Sequence, residues 1–329
     1  EVLTETRALA AGLRDRGIAE GDKVLIHADN CPEMLLAWLA CGTVGATAVT
    51  TNTRSAPAEV GWFIDKARCD AAITQAKFVD HVTTSTRGLR WVAVIDGAPD
   101  GADAFDFADL AGDAQTWQDR PVEPLLPFVI MFTSGTTNKP KAVVHTHANA
   151  VWASRVGPRN IDLRTDDRYL IYLPLFHVNA QSWTMFSVLG VGATAVLTPK
   201  WSSSRFWDVV VRHQITHISL RPPASPTLME ADKPENQLRV GVFGLIMPML
   251  DEMCGLDVYA AYGMTETVTH ATNGRPADQL PERSMGRITP GYRYVVVNRD
   301  TGELCDVGEM GELWLQGTRG IQPVSYTHL

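Results

Sequence analysis

The hydrophobic pattern in the first half of the chain alternates between helical and strand-like spacing. Val2, Leu9 and Leu13 share one face of a predicted helix, and a glycine follows as its stop signal. Short apolar runs predict buried strands at 23–28, 46–50, 71–74 and 91–95, with helices at 32–40 and 57–67. Helices of this length between strands indicate right-handed crossovers, so we expect a parallel sheet covered on both faces.

The alternation resumes after a connection at 96–127 that is rich in Ala, Asp, Gly and Pro and is expected to lie on the surface. Further strands are predicted at 128–132, 142–145, 169–173, 193–197, 217–220 and 257–261, with one helix starting at His147 and another at 206–213. After Arg287, short β runs at 294–297 and 311–315 predict a small antiparallel β subdomain. The predicted fold class is therefore α/β.

Composition and charge narrow the class of protein. The 329 residues include 45% apolar and 20% charged side chains, as expected of a globular protein with one large or two ordinary domains. The formal net charge of −8 provides no basic excess for neutralising phosphates, so we expect no nucleic-acid partner. The most apolar window, at 34–49, is too short and too interrupted for a membrane span.

Cysteine and histidine spacing gives no metal site. The five cysteines are scattered without a CxxC pair, which predicts reduced thiols in a cytoplasmic protein and neither a zinc site nor a disulfide framework. His145 and His147 alternate along a predicted strand end, but no third ligand is in sight, so a structural role is favoured. No signal peptide is recognisable in the first residues.

The strand at 128–132 leads directly into a polar loop. This loop contains Thr133, Ser134, Gly135, Thr136, Thr137, Asn138, Lys139, Pro140 and Lys141. Hydroxyls and successive backbone N–H groups can surround phosphate oxygens, a glycine permits close approach, and a lysine adds positive charge. The P-loop pattern GxxxxGK[ST] does not fit, because no glycine precedes either lysine. From the residues alone, an anion site and a solvated polar turn both remain open.

Two later segments carry useful chemistry beside ordinary structural alternatives. YGMTET at 262–267 follows a predicted strand; its carboxylate can bind a hard cation, or one of its threonines can cap a helix. His177 follows two apolar residues, and a histidine in such a position more often packs in a core or a turn than acts as a catalyst.

In this order, the three segments resemble the signature motifs of the adenylate-forming, or AMP-binding, enzymes. That superfamily includes acyl-CoA synthetases, luciferases and the adenylation domains of peptide synthetases. FTSGTTNKPK resembles the family pattern TSGTTGxPKG, with Asn138 and Ala142 in place of two glycines. YGMTET begins 129 residues after Thr133 (262 − 133), which is about the family's separation.

The resemblance implies one role for each segment. The loop would hold the phosphates of ATP, YGMTET would hold adenine, the α-phosphate and Mg²⁺, and the histidine would gate the acyl and pantetheine channels. The residues implied in catalysis are Lys141, His177, Thr265 and Glu266. Those implied in nucleotide binding are Thr133, Ser134, Gly135, Thr136, Thr137, Lys141, Tyr262, Gly263, Met264 and Thr265, with Glu266 as the metal ligand.

The resemblance covers nearly the whole chain, including the N-x-P-E match at 30–33, the S-x-G-[RK] match at 284–287 and the hairpin at 308–313. It implies that 1–322 is the large N-terminal domain, truncated at both ends, with two stacked, mostly parallel sheet subdomains and 285–322 as its small β subdomain. Residues 323–329 no longer follow the family, and we expect a non-native tail. The C-terminal lid domain and its lysine are expected to be absent, which predicts almost no adenylation by this chain alone.

PLFHVNAQ combined with YGMTET resembles CoA ligases of the crotonobetaine/carnitine type. The implied reaction uses ATP and Mg²⁺ to convert a small carboxylic acid into an acyl-adenylate, and CoA is the co-substrate that accepts the acyl group. Two alternatives stay open: an adenylation domain serving a carrier protein, and a non-catalytic nucleotide-binding protein.

Overall fold

The structure, a computed structural model, describes residues 1–83, 87–133, 140–221, 224–230, 232–317 and 324–326. Its α-helices are α1 Val2–Asp15, α2 Pro32–Val44, α3 Pro57–Ala67, α4 Val79–Val82, α5 His147–Asn160, α6 Phe186–Val191, α7 Ser203–Arg212, α8 Ser225–Leu228 and α9 Pro248–Cys254. Its strands are β1 Lys23–His27, β2 Thr47–Thr50, β3 Ala71–Thr74, β4 Val92–Val94, β5 Phe105–Asp106, β6 Pro127–Thr133, β7 Lys141–Thr146, β8 Arg168–Ile171, β9 Thr194–Leu197, β10 His217–Ser219, β11 Val240–Phe243, β12 Asp257–Tyr262, β13 Thr272–Gly274, β14 Arg287–Ile288, β15 Tyr292–Val297, β16 Glu312–Gly317 and β17 Val324–Tyr326.

The first sheet has the strand order β17-β7-β6-β2-β1-β3-β4-β5. The strands from β6 to β5 in this order are all parallel, whereas β7 and β17 pair antiparallel at one edge. The four residues of β2 and the four of β3 are buried, as expected of a sheet covered on both faces.

The second sheet has the order β14-β13-β12-β11-β10-β8-β9. Its pairs from β12 to β9 are parallel, and β13 and β14 add an antiparallel edge. Together with the antiparallel hairpin β15–β16, the two mostly parallel sheets confirm the predicted α/β architecture. The hairpin begins at Tyr292, because Arg287–Ile288 still belongs to the second sheet.

One continuous core joins the two sheets. Trp38 of α2 packs against Phe128 of β6 and Phe186 of α6, with ring centroids 5.5 and 4.9 Å apart. These contacts place the helix of the first half directly against the helix that covers the second sheet. The two sheets are therefore held in a defined relation, which matters for the residues that lie between them.

Local sequence signals explain where several helices begin and end. Pro32 occupies the first turn of α2. The helix continues to Val44, four residues beyond its predicted end, and Gly45 follows in the left-handed conformation that terminates it. Thr146 caps α5 by accepting a hydrogen bond from the backbone N–H of Asn149, whose side chain bonds back to the Thr146 N–H.

The prediction of a purely surface connection at 96–127 is only partly right. Phe107 and Leu110 are buried at 8% and 1% exposure, and the preceding residues form the edge strand β5. A two-residue strand and single buried side chains leave no periodic signal, so the sequence pattern could not identify them. Among the described helices, none is long and apolar enough to cross a membrane.

Four buried histidines make the fold sensitive to acid. Burial lowers the pKa of His27, His145, His217 and His270 to about 4, from an ordinary value of 6.5. Between these values the unfolded chain binds more protons than the folded chain, so the free energy of unfolding decreases as the pH falls. We expect the urea unfolding midpoint to be clearly lower at about pH 5 than at about pH 7.5. Equal midpoints would show that these rings are not buried in neutral form.

Candidate nucleotide-binding site

The predicted phosphate loop connects two antiparallel strands. Thr133, at the end of β6, is the cross-strand partner of Lys141, the first residue of β7, and both are half-buried. The intervening turn therefore starts and returns at one point on the edge of the first sheet. This strand–loop–strand arrangement differs from the strand–loop–helix of a P-loop, as the sequence predicted.

Most of the loop lies outside the part of the chain that the structure describes. The residues concerned are Ser134, Gly135, Thr136, Thr137, Asn138 and Lys139. Their assignment to phosphate binding stays a prediction, and Thr133 and Lys141 mark where the two ends of the loop are anchored.

YGMTET forms a tight turn at the carboxyl end of β12. The backbone N–H of Met264 donates to the Thr267 hydroxyl at 2.9 Å, and residues Thr265–Thr267 form a single 3₁₀ turn. A Cβ on Gly263 would lie 2.8 Å from both the Thr269 carbonyl oxygen and the Cζ2 atom of Trp183. Only glycine fits this position, since such contacts are closer than real Cβ atoms make.

The turn ends in a strained backbone conformation. Val268 has φ +68° and ψ −58°, and the Thr269 N–H donates to the Thr267 carbonyl at 2.7 Å. This is a γ-turn of the rare hand, and it is most unfavourable for a β-branched residue. The Tyr292 hydroxyl at the start of the β15–β16 hairpin donates to the same carbonyl, which helps to hold the turn. Such strain persists only where the surroundings over-determine it.

Glu266 belongs to this turn and is half-buried. Its carboxylate makes no hydrogen bond or ion pair with any residue in the described ranges, whereas its neighbours Thr265 and Thr267 are both tied to other segments. A half-buried carboxylate on a rigid turn is well suited to a hard cation such as Mg²⁺. This single carboxylate is of the ligand type preferred by the metal that the sequence resemblance implies.

A single histidine connects this turn to the strand that leaves the phosphate loop. The Nε2 of His145, on β7, lies 2.7 Å from the backbone carbonyl oxygen of Thr265, and the two residues are 120 positions apart in the chain. The ring is 1% exposed. The YGMTET turn is therefore joined to β7, the strand that leaves the phosphate loop, although the two belong to different sheets.

His177 lies in a turn after β8 that is tied to the first sheet. Its Nδ1 accepts a hydrogen bond from the Asn179 N–H at 3.3 Å. Desolvation, and then the positive charge of Arg221, lowers the pKa of His177, so its ring is neutral near neutral pH. The residue is exposed, and no described contact gives it the partner of a general base.

Asn30 supplies the tie between this turn and the first sheet. Its Nδ2 donates to the carbonyls of Leu173 and Thr198 at 2.9 and 3.2 Å, and its Oδ1 accepts from the Leu175 N–H at 2.7 Å. Asn30 is 6% exposed and lies between β1 and α2. One amide side chain thus satisfies three backbone groups of the second half of the chain.

A π-helical segment, Asn179–Met185, fills the space between the two sheets. Gln181 donates to the Thr50 hydroxyl at the end of β2, at 3.0 Å. Trp183 on the same segment packs edge-on against His270, with ring centroids 4.8 Å apart. This segment therefore contacts the first sheet on one side and the residues beside YGMTET on the other.

Three residues make long-range contacts at this site that were not predicted. His145 was interpreted as structural, Asn30 only as part of a family motif, and Tyr292 not at all. The one available signal was the asparagine of the N-x-P-E match at 30–33, because an amide side chain that becomes buried needs hydrogen-bond partners. The partners of His145 and Tyr292 come from distant segments and leave no trace in local sequence.

Other features of the chain lie away from this site. Among the residues that the structure describes, no group of three His, Cys, Asp or Glu side chains could hold a metal, and all five cysteines are free. A cavity of about 210 Å³ lies between the end of β8, the segment 198–202 and α7. Its aromatic lining, Tyr172, Trp201 and Phe206, includes none of the predicted site residues.

The two mostly parallel sheets, the hairpin and the YGMTET turn are the features expected of an AMP-binding enzyme. Comparison with known sequences supports the same family. The family model of the AMP-binding enzymes matches residues 1–322, so the chain belongs to the AMP-binding enzyme family. Crotonobetaine/carnitine–CoA ligases of Escherichia coli, from strains O45:K1 and K12 (DH10B) among others, are 32% identical over 321 residues. The alignment covers 92% of this chain and 62% of each relative, so the chain spans about three fifths of their length.

Solved structures give the same fold. A putative long-chain-fatty-acid CoA ligase from Rhodopseudomonas palustris superposes with a TM-score of 0.87 at 23% identity, covering 98% of this chain and 81% of the other. An O-succinylbenzoate CoA synthetase from Bacillus subtilis, solved with ATP and magnesium, gives 0.82 at 25% identity and covers 100% and 67% of the two chains. The same enzyme with AMP gives 0.81 at 25% identity, covering 100% and 83%.

Proposed function

We propose that these residues belong to an ATP-dependent acid–thiol ligase. The contact between His145 and the Thr265 carbonyl supports this most directly, because it joins the YGMTET turn to β7, the strand that follows the predicted phosphate loop. Membership of the AMP-binding family and the likeness to named CoA ligases support the same chemistry. ATP and CoA are used in the cytoplasm, and we place the protein there.

In the first step, a carboxylate oxygen of the acid attacks the α-phosphorus of Mg·ATP. The bond from the α-phosphorus to its bridging oxygen breaks, which releases pyrophosphate and leaves an acyl-adenylate. In the second step, the CoA thiol loses its proton, attacks the acyl carbon and displaces AMP. Neither step requires a covalent enzyme intermediate, so catalysis rests on positioning and on stabilising phosphate charge.

The site residues have distinct roles in this proposal. The loop from Thr133 to Lys141 holds the departing pyrophosphate, and the positive charge of Lys141 stabilises it. Tyr262 packs against adenine, and the backbone of Gly263 and Met264 lies alongside the nucleotide. Thr265 donates to the α-phosphate. Glu266 binds Mg²⁺, which when bound supplies positive charge to the phosphate oxygens.

His177 gates the route by which the acceptor thiol arrives. Its lowered pKa leaves the imidazole neutral, so it takes no charge into the channel. Asn30 ties its loop to the first sheet, whereas the described hydrogen bond of its own ring is local, to the Asn179 N–H. A positioned but exposed ring is suited to opening and closing a channel rather than to abstracting a proton.

Side chains next to this gate favour a short, polar acid. Asn179 is 4% exposed, and its Oδ1 accepts a hydrogen bond from the Ser219 hydroxyl at 3.0 Å. Trp183, 8% exposed, fills the space beside Gly263. A long apolar chain entering beside Gly263 would have to displace the buried indole, which is unfavourable. The names of the relatives, which act on crotonobetaine and carnitine, agree with a short polar acid.

The test is an acid screen on the protein expressed at its native length. We expect acid-dependent exchange of labelled pyrophosphate into ATP with short polar acids, including crotonobetaine and carnitine, and little with long-chain fatty acids. Adding CoA should then release AMP and form the thioester. Exchange without thioester formation would favour transfer to a carrier protein. Nucleotide binding without exchange for any acid would favour a non-catalytic protein and overturn the proposal.

A further inference from the structure

His145 occupies a position that the proposed reaction does not itself use. It lies on β7, four residues after Lys141, on the strand that leaves the phosphate loop. At 1% exposure it cannot contact a substrate from solvent. It reaches away from its own sheet, toward the YGMTET turn and the π-helical segment.

The contacts of the His145 ring determine which of its two nitrogens carries the proton. A carbonyl oxygen can only accept, so the Nε2 that lies 2.7 Å from the Thr265 oxygen must carry the hydrogen. Nδ1 is then free to accept, and the Ser182 hydroxyl lies 3.5 Å away at the limit of a hydrogen bond. Desolvation lowers the pKa of His145 to about 4, so this neutral tautomer persists at neutral pH.

We propose that His145 is a positioning residue that fixes Thr265 and Glu266 relative to β7. Its Nε2–H fixes the Thr265 carbonyl relative to β7, and Lys141 belongs to the same strand. The inference rests on the proposed function, because it assigns a purpose to the tie between β7 and the YGMTET turn. His145 itself touches neither nucleotide nor acid.

The strain of the turn makes this hydrogen bond consequential. The γ-turn at Val268 is unfavourable by itself, and the turn is held from two sides, by His145 at Thr265 and by Tyr292 at Thr267. Removing one constraint lets the backbone relax toward a common conformation. A shift of about 1 Å in a group that must meet a reacting phosphate can cost about 100-fold in rate.

His217 provides a matched control elsewhere in the fold. It is also buried, its pKa is also lowered to about 4, and its Nε2 also contacts a backbone carbonyl, that of Ile161, at 3.2 Å. It lies on β10 and makes no described contact with YGMTET or the phosphate loop. Replacing either histidine by leucine removes a buried hydrogen bond from Nε2 to a backbone carbonyl, and at His217 it also removes the 2.8 Å hydrogen bond between Nδ1 and the Thr216 hydroxyl.

The experiment compares His145→Leu, His145→Gln and His217→Leu in the protein at its native length. Both leucine variants should lower the thermal midpoint, but only His145→Leu should lower kcat for pyrophosphate exchange, by about 100-fold, with little change in the KM for the acid. Glutamine can donate from a similar position, so His145→Gln should regain about tenfold of the loss. Equal kcat losses in the two leucine variants, or no gain with glutamine, would overturn the proposal.

A second measurement keeps the inference separate from the proposed function. If the parent protein shows no exchange with any acid, the proposed function fails, and binding of Mg·ATP is measured by calorimetry instead. A drop in affinity of about tenfold or more in His145→Leu, and not in His217→Leu, would still support the positioning role. Equal affinities in the two variants would refute it.

Discussion

Replacing Glu266 by glutamine is expected to lower the rate of acyl-adenylate formation by about 100-fold or more. Glutamine keeps the size and the half-buried position of the side chain but removes the negative charge that a hard cation requires. Because the carboxylate has no partner among the described residues, its removal breaks no ion pair there and should leave the fold intact. The loss should therefore appear in catalysis rather than in stability.

The measurement is pyrophosphate exchange over a series of Mg²⁺ concentrations, together with a thermal melt. Glu266→Gln should require more Mg²⁺ for half-maximal rate, and its melting temperature should match the parent. Glu252→Gln is the matched control, since Glu252 is an exposed carboxylate on α9. If Glu266→Gln exchanged pyrophosphate at the parent rate, Glu266 would not be the metal ligand.

Replacing Gly286 by alanine is expected to destabilise the fold by about 3 kcal/mol or more. Gly286 has φ +96°, a conformation that L side chains rarely adopt. A Cβ there would lie 2.2 and 2.4 Å from the carbonyl carbon and oxygen of Asn273, and 2.5 Å from the Gly274 nitrogen. These are backbone atoms of β13, which pairs with the β12 strand that carries YGMTET, so they cannot yield without disturbing the sheet.

Gly302 serves as a control that separates the cost of the positive φ from the cost of the clash with β13. It also has a positive φ, +74°, but nothing lies within 4 Å of its Cβ position. Gly302→Ala should therefore cost only the conformational penalty, about 1 to 2 kcal/mol. Urea unfolding of the two variants and the parent measures both values. Equal losses at the two positions would mean that the contact with β13 contributes nothing.

Local sequence predicted the elements of this fold well. The helix at 57–67 and the strand at 71–74 have the predicted bounds, because burial on a repeating face leaves a repeating pattern. The segments with weaker patterns were less well predicted. The π-helical segment Asn179–Met185 and the strands β11, β13 and β14 were not predicted, since their burial comes from neighbours in the sheets rather than from their own periodicity.

The candidate site was predicted only as a set of separate motifs. The hydroxyls and lysines at 133–141, the carboxylate of Glu266 and the ring of His177 were identified by residue type and by their resemblance to a family. Their roles remain proposals. Nothing in those segments indicated that Asn30 would hold the loop of His177, or that Tyr292 would hold the turn of Glu266.

By itself, the sequence determined the α/β class, the order of most elements and the chemistry available in each motif, because these depend on residues close together in the chain. The tertiary structure decided which motifs meet. His145 reaches Thr265 across 120 positions, and Asn30 reaches Leu175 across 145. Such contacts depend on strand order, on register and on the packing of two sheets against each other, and none of these can be read from a local pattern of apolar and polar residues.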